Sequence, residues 1–391
     1  MPSRSIRRAK QPVAADEYIA NFNVFLGNEG LCNALLTLLD YISSCPGEKE
    51  VIAVMGRAYQ RILESPEFLE AFKNKLHMAY RNGVRIVVIG DDGFESGGID
   101  CGYWLWANLN GYARSVTCAS RQKLEGMDAC MVVKDCVALR VINDPGAKDG
   151  LYTAMFTDEA TVRQVFDACG RYAKMVEPCY SCGFMDTPSG LLLDFHKEEL
   201  LRSPVYLYTR TPSFGTIAQD KAHLCTQTTQ SEARKRTEQL PVLFYTPVQY
   251  DDYAAIRHIY CIEDIEGLLL PGRHENKAFS MAFGKKTNYS GKRLKSQLMD
   301  IYRWLGIKNN YEVAFVPARV AEQIPVELLS VEGSFTVAWL QDGSGSTCIK
   351  GGSQGAVHEY ARNLWEGIPQ VYKNKHNNMK LLRTWIDTIN V

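Results

Sequence analysis

The stretch EVIAVMG, then SPEFLEAFKNKLHMAYRNG, then VRIVVIG limits the fold more than any other part of the chain. EVIAVMG and VRIVVIG are short, continuous apolar runs rich in β-branched residues, the pattern of strands buried on both faces. Between them Phe68, Phe72, Leu76 and Tyr80 recur at helical spacing, Ser65 stands at the N-cap position, Pro66 at the first helical position, and Gly83 closes the run. Strand, capped helix and strand in so short a span make a βαβ unit, which requires a parallel sheet with helices packed on it. Ahead of the unit, EGLCNALLTLLDYI places Leu31, Leu35, Leu38, Leu39 and Ile42 on one face of a lead helix that stops before Pro46-Gly47. After it, residues Trp104 to Leu109 read as helix and ARSVTCA as a further strand. GMDACMVVKDCVALRVI then reads as a hairpin turning at Lys134-Asp135-Cys136, and TDEATVRQVFDACGRYAKMV as a helix capped by Thr157 or Asp158.

The order of elements returns further on. LKSQLMDIYRWLGIKNNYEVAFVP lays over FKNKLHMAYRNGVRIVVIG, with Leu298 against Leu76 and Tyr302 against Tyr80, and VELLSVEGSFTVAWL lays over DACMVVKDCVALRVI. SQGAVHEYARNLWEGI answers the helix at Thr157 to Val176. The reading is an α/β chain of two similar lobes with mixed sheets flanked by helices: a tail at 1–20, a first lobe with its lead helix at 21–185 and a second lobe at 186–391.

Spacing within the hairpin carries the first chemical signal. Asp128-x-Cys130-x4-Asp135 has the offsets of the H-x-K-x4-D signature of phospholipase-D-like phosphodiesterases, with Asp for His and Cys for Lys. At the same offsets the second lobe has Val326, Leu328 and Gly333. That chemistry needs an imidazole nucleophile to form and release a phospho-enzyme, and neither lobe has one. The resemblance therefore implies a degenerate phospholipase-D-like pseudo-dimer that is not an enzyme of that class.

Other segments point to binding. IGDDGFESGGID follows a parallel strand, so Asp91, Asp92 and Gly93 fall outside its carboxyl end, where open α/β sheets take ligands. KGGSQGAVHEY puts Ser353 and Gly355 at a helix start, where free backbone N–H groups hold anions. Acceptors on one loop and donors on the other suit a small polar or anionic ligand in a cleft between the lobes. If Asp91 and Asp92 instead held Mg²⁺, the chain would be a metal-assisted phosphohydrolase or a nucleotide-processing enzyme. A third reading is a pure dimerisation or protein-interaction module, with a homodimer as partner state. Cys179-x2-Cys182 is half of a zinc set that Cys169 and His196 would have to complete. AFGKKTN lacks the first glycine of a phosphate loop, Phe279 standing there, although Lys285, Lys286, Lys292, Arg293 and Lys295 remain a basic patch around Tyr289. No cofactor is indicated.

Charge and cysteine usage narrow the partners. Lys+Arg and Asp+Glu both total 44, which disfavours DNA binding by the body of the chain, since phosphate contacts need a basic excess. The exception is MPSRSIRRAK, with Arg4, Arg7, Arg8 and Lys10. Twelve cysteines at irregular spacings in a chain of 391 residues fit reduced thiols in a cytoplasm rather than a disulfide framework. No apolar run reaches the roughly 20 residues of a membrane helix.

Taken together, NVFLGNEGLCNALLTLLDYI, SPEFLEAFKNKLHMAYRNGVRIVVIGDD, FTDEATVRQVFDACGRYAKMVEP, LPVLFYTPVQYDDY, LMDIYRWLGIKNNYEVAFV and HEYARNLWEGIP resemble the large region that follows the DNA-binding headpiece in Xre-type helix-turn-helix transcriptional regulators of Gram-positive anaerobes. The resemblance runs from about Asn21 to the end and rests on structural rather than catalytic motifs. It implies a bacterial sensing and association module that reaches DNA only through a headpiece. Where those proteins tend to carry His-x-x-Asp-Arg, this chain has Gly90-Asp91-Asp92-Gly93. The basic start is similar to the linker that joins headpiece and module, so the chain reads as a shortened or a naturally headless member.

Overall fold

The computed structural model describes residues 22–44, 47–55, 65–90, 99–117, 129–143, 151–175, 177–178, 181–182, 203–213, 229–239, 255–270, 272, 274–283, 286–342, 345–349 and 352–389. They form two compact units. The first takes the described residues up to 90 and from 112 to 177; the second takes 99–111 and those from 178 on.

In the first unit the elements are β1 (Phe22–Leu26), α1 (Gly27–Ser44), β2 (Lys49–Met55), α2 (Pro66–Arg81), β3 (Val84–Gly90), β4 (Ala113–Thr117), β5 (Ala129–Val133), β6 (Val137–Asn143), β7 (Leu151–Phe156), α4 (Glu159–Met175) and β8 (Glu177–Pro178). Between β3 and β4 the chain runs through α3 (Ile99–Leu109), which belongs to the second unit. The sheet order is β1-β7-β6-β5-β2-β3-β4-β8. β2 and β3 are parallel, as are β3 and β4, while β2–β5, β5–β6 and β6–β7 are antiparallel. The βαβ expectation holds. Ser65 occupies the N-cap of α2 with Pro66 behind it, although its hydroxyl makes no capping bond, and Gly83 at φ 89° follows the C-cap Asn82. Of the two caps open for α4, Asp158 serves: its Oδ1 accepts from Thr161 N at 2.9 Å. α4 lays Val162 and Cys169 on Ile52, Cys130, Val132 and Ala138, one of the apolar clusters of this unit.

The second unit continues with β9 (Ser181–Cys182), β10 (Val205–Tyr208), α5 (Gln230–Gln239), β11 (Ile256–Cys261), α6 (Ile262–Leu269), β12 (His274–Glu275), α7 (Lys277–Phe283), β13 (Asn288–Tyr289), α8 (Gly291–Ile307), β14 (Tyr311–Val316), α9 (Ala318–Ala321), β15 (Glu327–Val331), β16 (Phe335–Trp339), β17 (Ser346–Ile349), α10 (Gly352–Gly367), α11 (Gln370–Lys373) and α12 (Lys375–Thr388). Its sheet runs β14-β11-β10-β15-β16-β17-β9. One face carries Leu298, Ile301, Leu305, Leu382 and Trp385 of α8 and α12, and the other carries Leu105 of α3 with Val357, Tyr360 and Ala361 of α10.

The two units share one six-strand plan. β14, β11 and β10 are parallel and β10, β15, β16 and β17 antiparallel in turn, as β4, β3 and β2 are parallel and β2, β5, β6 and β7 antiparallel. The α/β class with mixed sheets flanked by helices is thus as expected. The two hairpins correspond residue by residue: Asp135 (φ 53°) and Gly333 (φ 68°) take the same left-handed place, and Cys136 N–H to Val133 O and Ser334 N–H to Val331 O both measure 3.2 Å.

Two expectations need correction. The overlay of α8-β14 on α2-β3 is one strand out, because by position within its own sheet β14 matches β4 and β11 matches β3; generic α/β patterns align equally well a strand apart. The segment 99–111, inside the lobe expected at 21–185, clusters with the second unit, and the division falls at 177 rather than 185. The cause is packing. Gly102 of α3 lies where an added Cβ would come within 2.1 Å of Tyr360 Oη, an approach that only glycine permits.

Candidate functional site

The residues picked out by the signature spacing are placed as follows. Cys130, on β5, is wholly buried beneath α4. Asp135 sits at the exposed hairpin turn, and Asp128 lies outside the described residues. In the second unit Val326 and Leu328 are buried in the apolar layer with Val357, Tyr360 and Trp365. An ammonium at 130 or an imidazole at 326 would enter an apolar interior, at a cost of several kcal/mol. The two hairpins match each other, and of the described signature positions Cys130, Val326 and Leu328 are filled with core while Asp135 and Gly333 form the turns.

Asp91, Asp92 and Gly93 lie outside the described residues, as do Cys179, His196 and Lys285. Ser353 falls in the first turn of α10, and Gly355 is exposed with open space around it. That turn is pinned to the hairpin by the buried Gln354, whose Nε2 donates to Val331 O at 2.9 Å. Cys182 pairs through β9 with Thr347 of β17. Cys169, needed for a zinc set, is occupied elsewhere: its Sγ is 3.4 Å from Cys130 Sγ. Among the described residues no group of three or more His, Cys, Asp or Glu is placed to hold a metal. The basic patch is partly engaged, Lys286 facing Glu275 at 3.6 Å and Lys295 donating to Ile389 O at 2.9 Å.

A polar cluster that the motifs missed gathers at the carboxyl ends of β10 and β11. Tyr208 pairs with Leu328, which brings the residues that follow β10 alongside Glu327 at the start of β15. Glu327 is buried; Arg210 N–H donates to its Oε1 at 3.0 Å and Trp339 Nε1–H to its Oε2 at 2.5 Å. Burial pushes the carboxyl up to about 7, against those two hydrogen bonds and the nearby guanidinium. The Arg210 side chain pairs with Asp264 on α6 and reaches Gln341 Oε1 at 3.4 Å. Cys261, beside it, is held up at about 11, chiefly by burial, so its thiol stays protonated and is a poor nucleophile. Next to these, Thr209 Oγ1 lies 2.6 Å from His258 Nε2, and burial holds that ring well below its usual range, hence neutral. Asn276 Nδ2 and Gln297 Nε2 donate to Pro212 O and Ser213 O at 3.3 and 2.9 Å. Chemically this is a clamp. Each charge faces a partner from the chain itself, and the segment after β10 is held from three sides. Its sequence signal was a lone carboxylate in the apolar run PVELLSV, since a buried polar residue is the informative exception in a core.

No protein-family model matches the sequence, and no curated protein is similar enough to match it. Among solved structures it is similar to TrmBL2, an archaeal chromatin protein with a novel mode of DNA binding, at TM-score 0.32 and 10% identity, over 41% of this chain and 55% of that one. It is similar to Nuc, a phospholipase D family member from Salmonella typhimurium, at TM-score 0.29 and 13% identity, over 40% of this chain and 96% of that one. NucT from Helicobacter pylori gives 0.28 and 12%, over 40% and 98%. Scores this low carry no functional inference. Among the described residues no helix is long and apolar enough to cross a membrane.

Proposed function

We propose that the chain is a non-enzymatic sensing and association module of a bacterial transcriptional regulator, built on two degenerate phospholipase-D-like lobes. The observation that supports this most is the burial of signature positions: Cys130, Val326 and Leu328 are core residues on two hairpins whose turns match each other. A site that had kept its chemistry would keep polar groups exposed there. The ligand-contact residues that go with the reading are Asp91, Asp92 and Gly93 on one loop and Ser353 and Gly355 at the start of α10, for a small polar or anionic ligand. The regulator context rests on the resemblance to Xre-type proteins, in which DNA is reached through a separate headpiece. The test is a thermal-shift screen of nucleotides, sugar phosphates and divalent metals, because a ligand specific for the folded state must raise its stability. Stabilisation by an anionic metabolite without metal, weakened by Asp91→Ala or Ser353→Pro, is the expected result. Stabilisation only by Mg²⁺ together with hydrolysis of a phosphoester would favour the metal-assisted phosphohydrolase instead. No hit at all, with a concentration-dependent dimer, would leave the association role alone.

A further inference from the structure

Cys130 stands where the signature would have its lysine, and Cys169 faces it from the middle of α4 with the two sulfurs 3.4 Å apart. Both are free thiols, wholly buried, and the side chains around them are Ile52, Val132, Ala138 and Val162. We propose that Cys130 and Cys169 are an oxidative modification site, joined by an oxidant of the peroxide class into a disulfide that staples β5, the signature strand of the first unit, to its covering helix.

The geometry asks little. A disulfide needs sulfurs about 2.05 Å apart, a closure of roughly 1.4 Å for two side chains that already touch. The pair is also polarised. The hydrogen bond between the thiols pushes Cys130 up, with burial adding to it, and the same bond brings Cys169 down against its burial. Cys169, carried by the helix that must open, is taken as the attacking sulfur. It displaces hydroxide from hydrogen peroxide: an S–O bond forms, the O–O bond breaks, and the leaving hydroxide takes the thiol proton as water. Cys130 then attacks the sulfenic acid at sulfur, the S–S bond forms, the S–O bond breaks, and the departing OH leaves as a second water with the Cys130 proton. Two thiols lose two electrons to one peroxide. Because neither sulfur is exposed, the reaction waits on local opening of α4, and its rate follows that opening.

The experiment treats the reduced, full-length chain with hydrogen peroxide under native conditions, follows loss of free Cys32, a less buried thiol, as the clock, quenches by alkylation in denaturant and maps peptides without reduction. A Cys130–Cys169 cross-linked peptide is expected, reversible by dithiothreitol and formed several-fold faster in urea below the unfolding midpoint. The link closes across 39 residues, so it should raise the melting midpoint by roughly 5–10 °C. Cys130→Ala should abolish both the link and the shift, and leave Cys169 trapped by dimedone as a sulfenic acid. If Cys130 and Cys169 are both recovered alkylated once Cys32 is consumed, or are found joined to other cysteines, the pair is packing only and the proposal fails. Should the variant not fold, the peptide map of the unaltered chain decides alone.

Discussion

At the scale of single residues, Glu327 is the most loaded position described. Its ordinary value of 4.5 is raised to about 7 in the fold, so the native state binds its proton more tightly than the unfolded chain does. The sign follows. The stabilising contribution is complete below about pH 4.5, declines as pH rises, and is lost above about 7. The upper bound on the swing is about 3 kcal/mol. Glu327→Gln cannot ionise, and should flatten this part of the stability profile while losing up to about 1 kcal/mol at pH 5, where the Trp339 N–H would face an amide N–H. Urea midpoints at pH 5 and pH 8 for both proteins check it. An equal fall in the two would mean that other groups carry the dependence. His358 makes the contrasting case: Ser330 Oγ lies 2.9 Å from its Nδ1 and Tyr206 packs edge-on, so it is a satisfied core histidine rather than a base in waiting.

At the scale of elements, the two hairpins make the same turn with different residues. Both hairpins turn through a left-handed residue, but one uses Gly333 and the other Asp135. Glycine adopts that conformation freely and aspartate at some cost, so Gly333→Ala should destabilise by about 1 kcal/mol, whereas Asp135→Gly should be neutral or slightly stabilising. Chemical denaturation reads both; the opposite ordering would show that the Asp135 side chain is needed at its turn. The α3–α10 contact is stricter. Gly102→Leu would push against the buried Tyr360 ring and should cost about 1–3 kcal/mol, and with Tyr360→Ala the combined loss should be smaller than the two single losses added. If the losses simply added, α3 would be held by something other than this approach. The choice of Asp158 over Thr157 as the α4 cap came from the hydrogen bond to Thr161 N, whereas helix periods, strand runs and the positions of Ser65, Pro66 and Gly83 are readable from the sequence, because local backbone preferences decide them. The overlay of α8 on α2 failed for the same reason: local pattern identifies a βα pair but not its place in the sheet.

For the molecule as a whole, the signature positions predict no metal-independent phosphodiesterase turnover on phospholipid, single-stranded or duplex nucleic acid. Turnover that survives chelation but is lost in Asp135→Ala would overturn this. With zero formal net charge, duplex DNA should bind weakly through Arg4, Arg7, Arg8 and Lys10, with a salt slope no steeper than about −4. A mobility-shift series in salt tests it, and sequence-specific binding retained without residues 1–12 would refute it. The sequence alone determined the α/β class, the parallel unit, the hairpin and its empty signature, since these depend on residue type and spacing along the chain. Tertiary structure decided three other things: that α3 packs with the second unit, that Cys130 meets Cys169, and that Arg210, Asp264 and Glu327 form one clamp. Each joins residues 39 or more positions apart, and periodicity carries no information about which distant side chains a buried face will bring together.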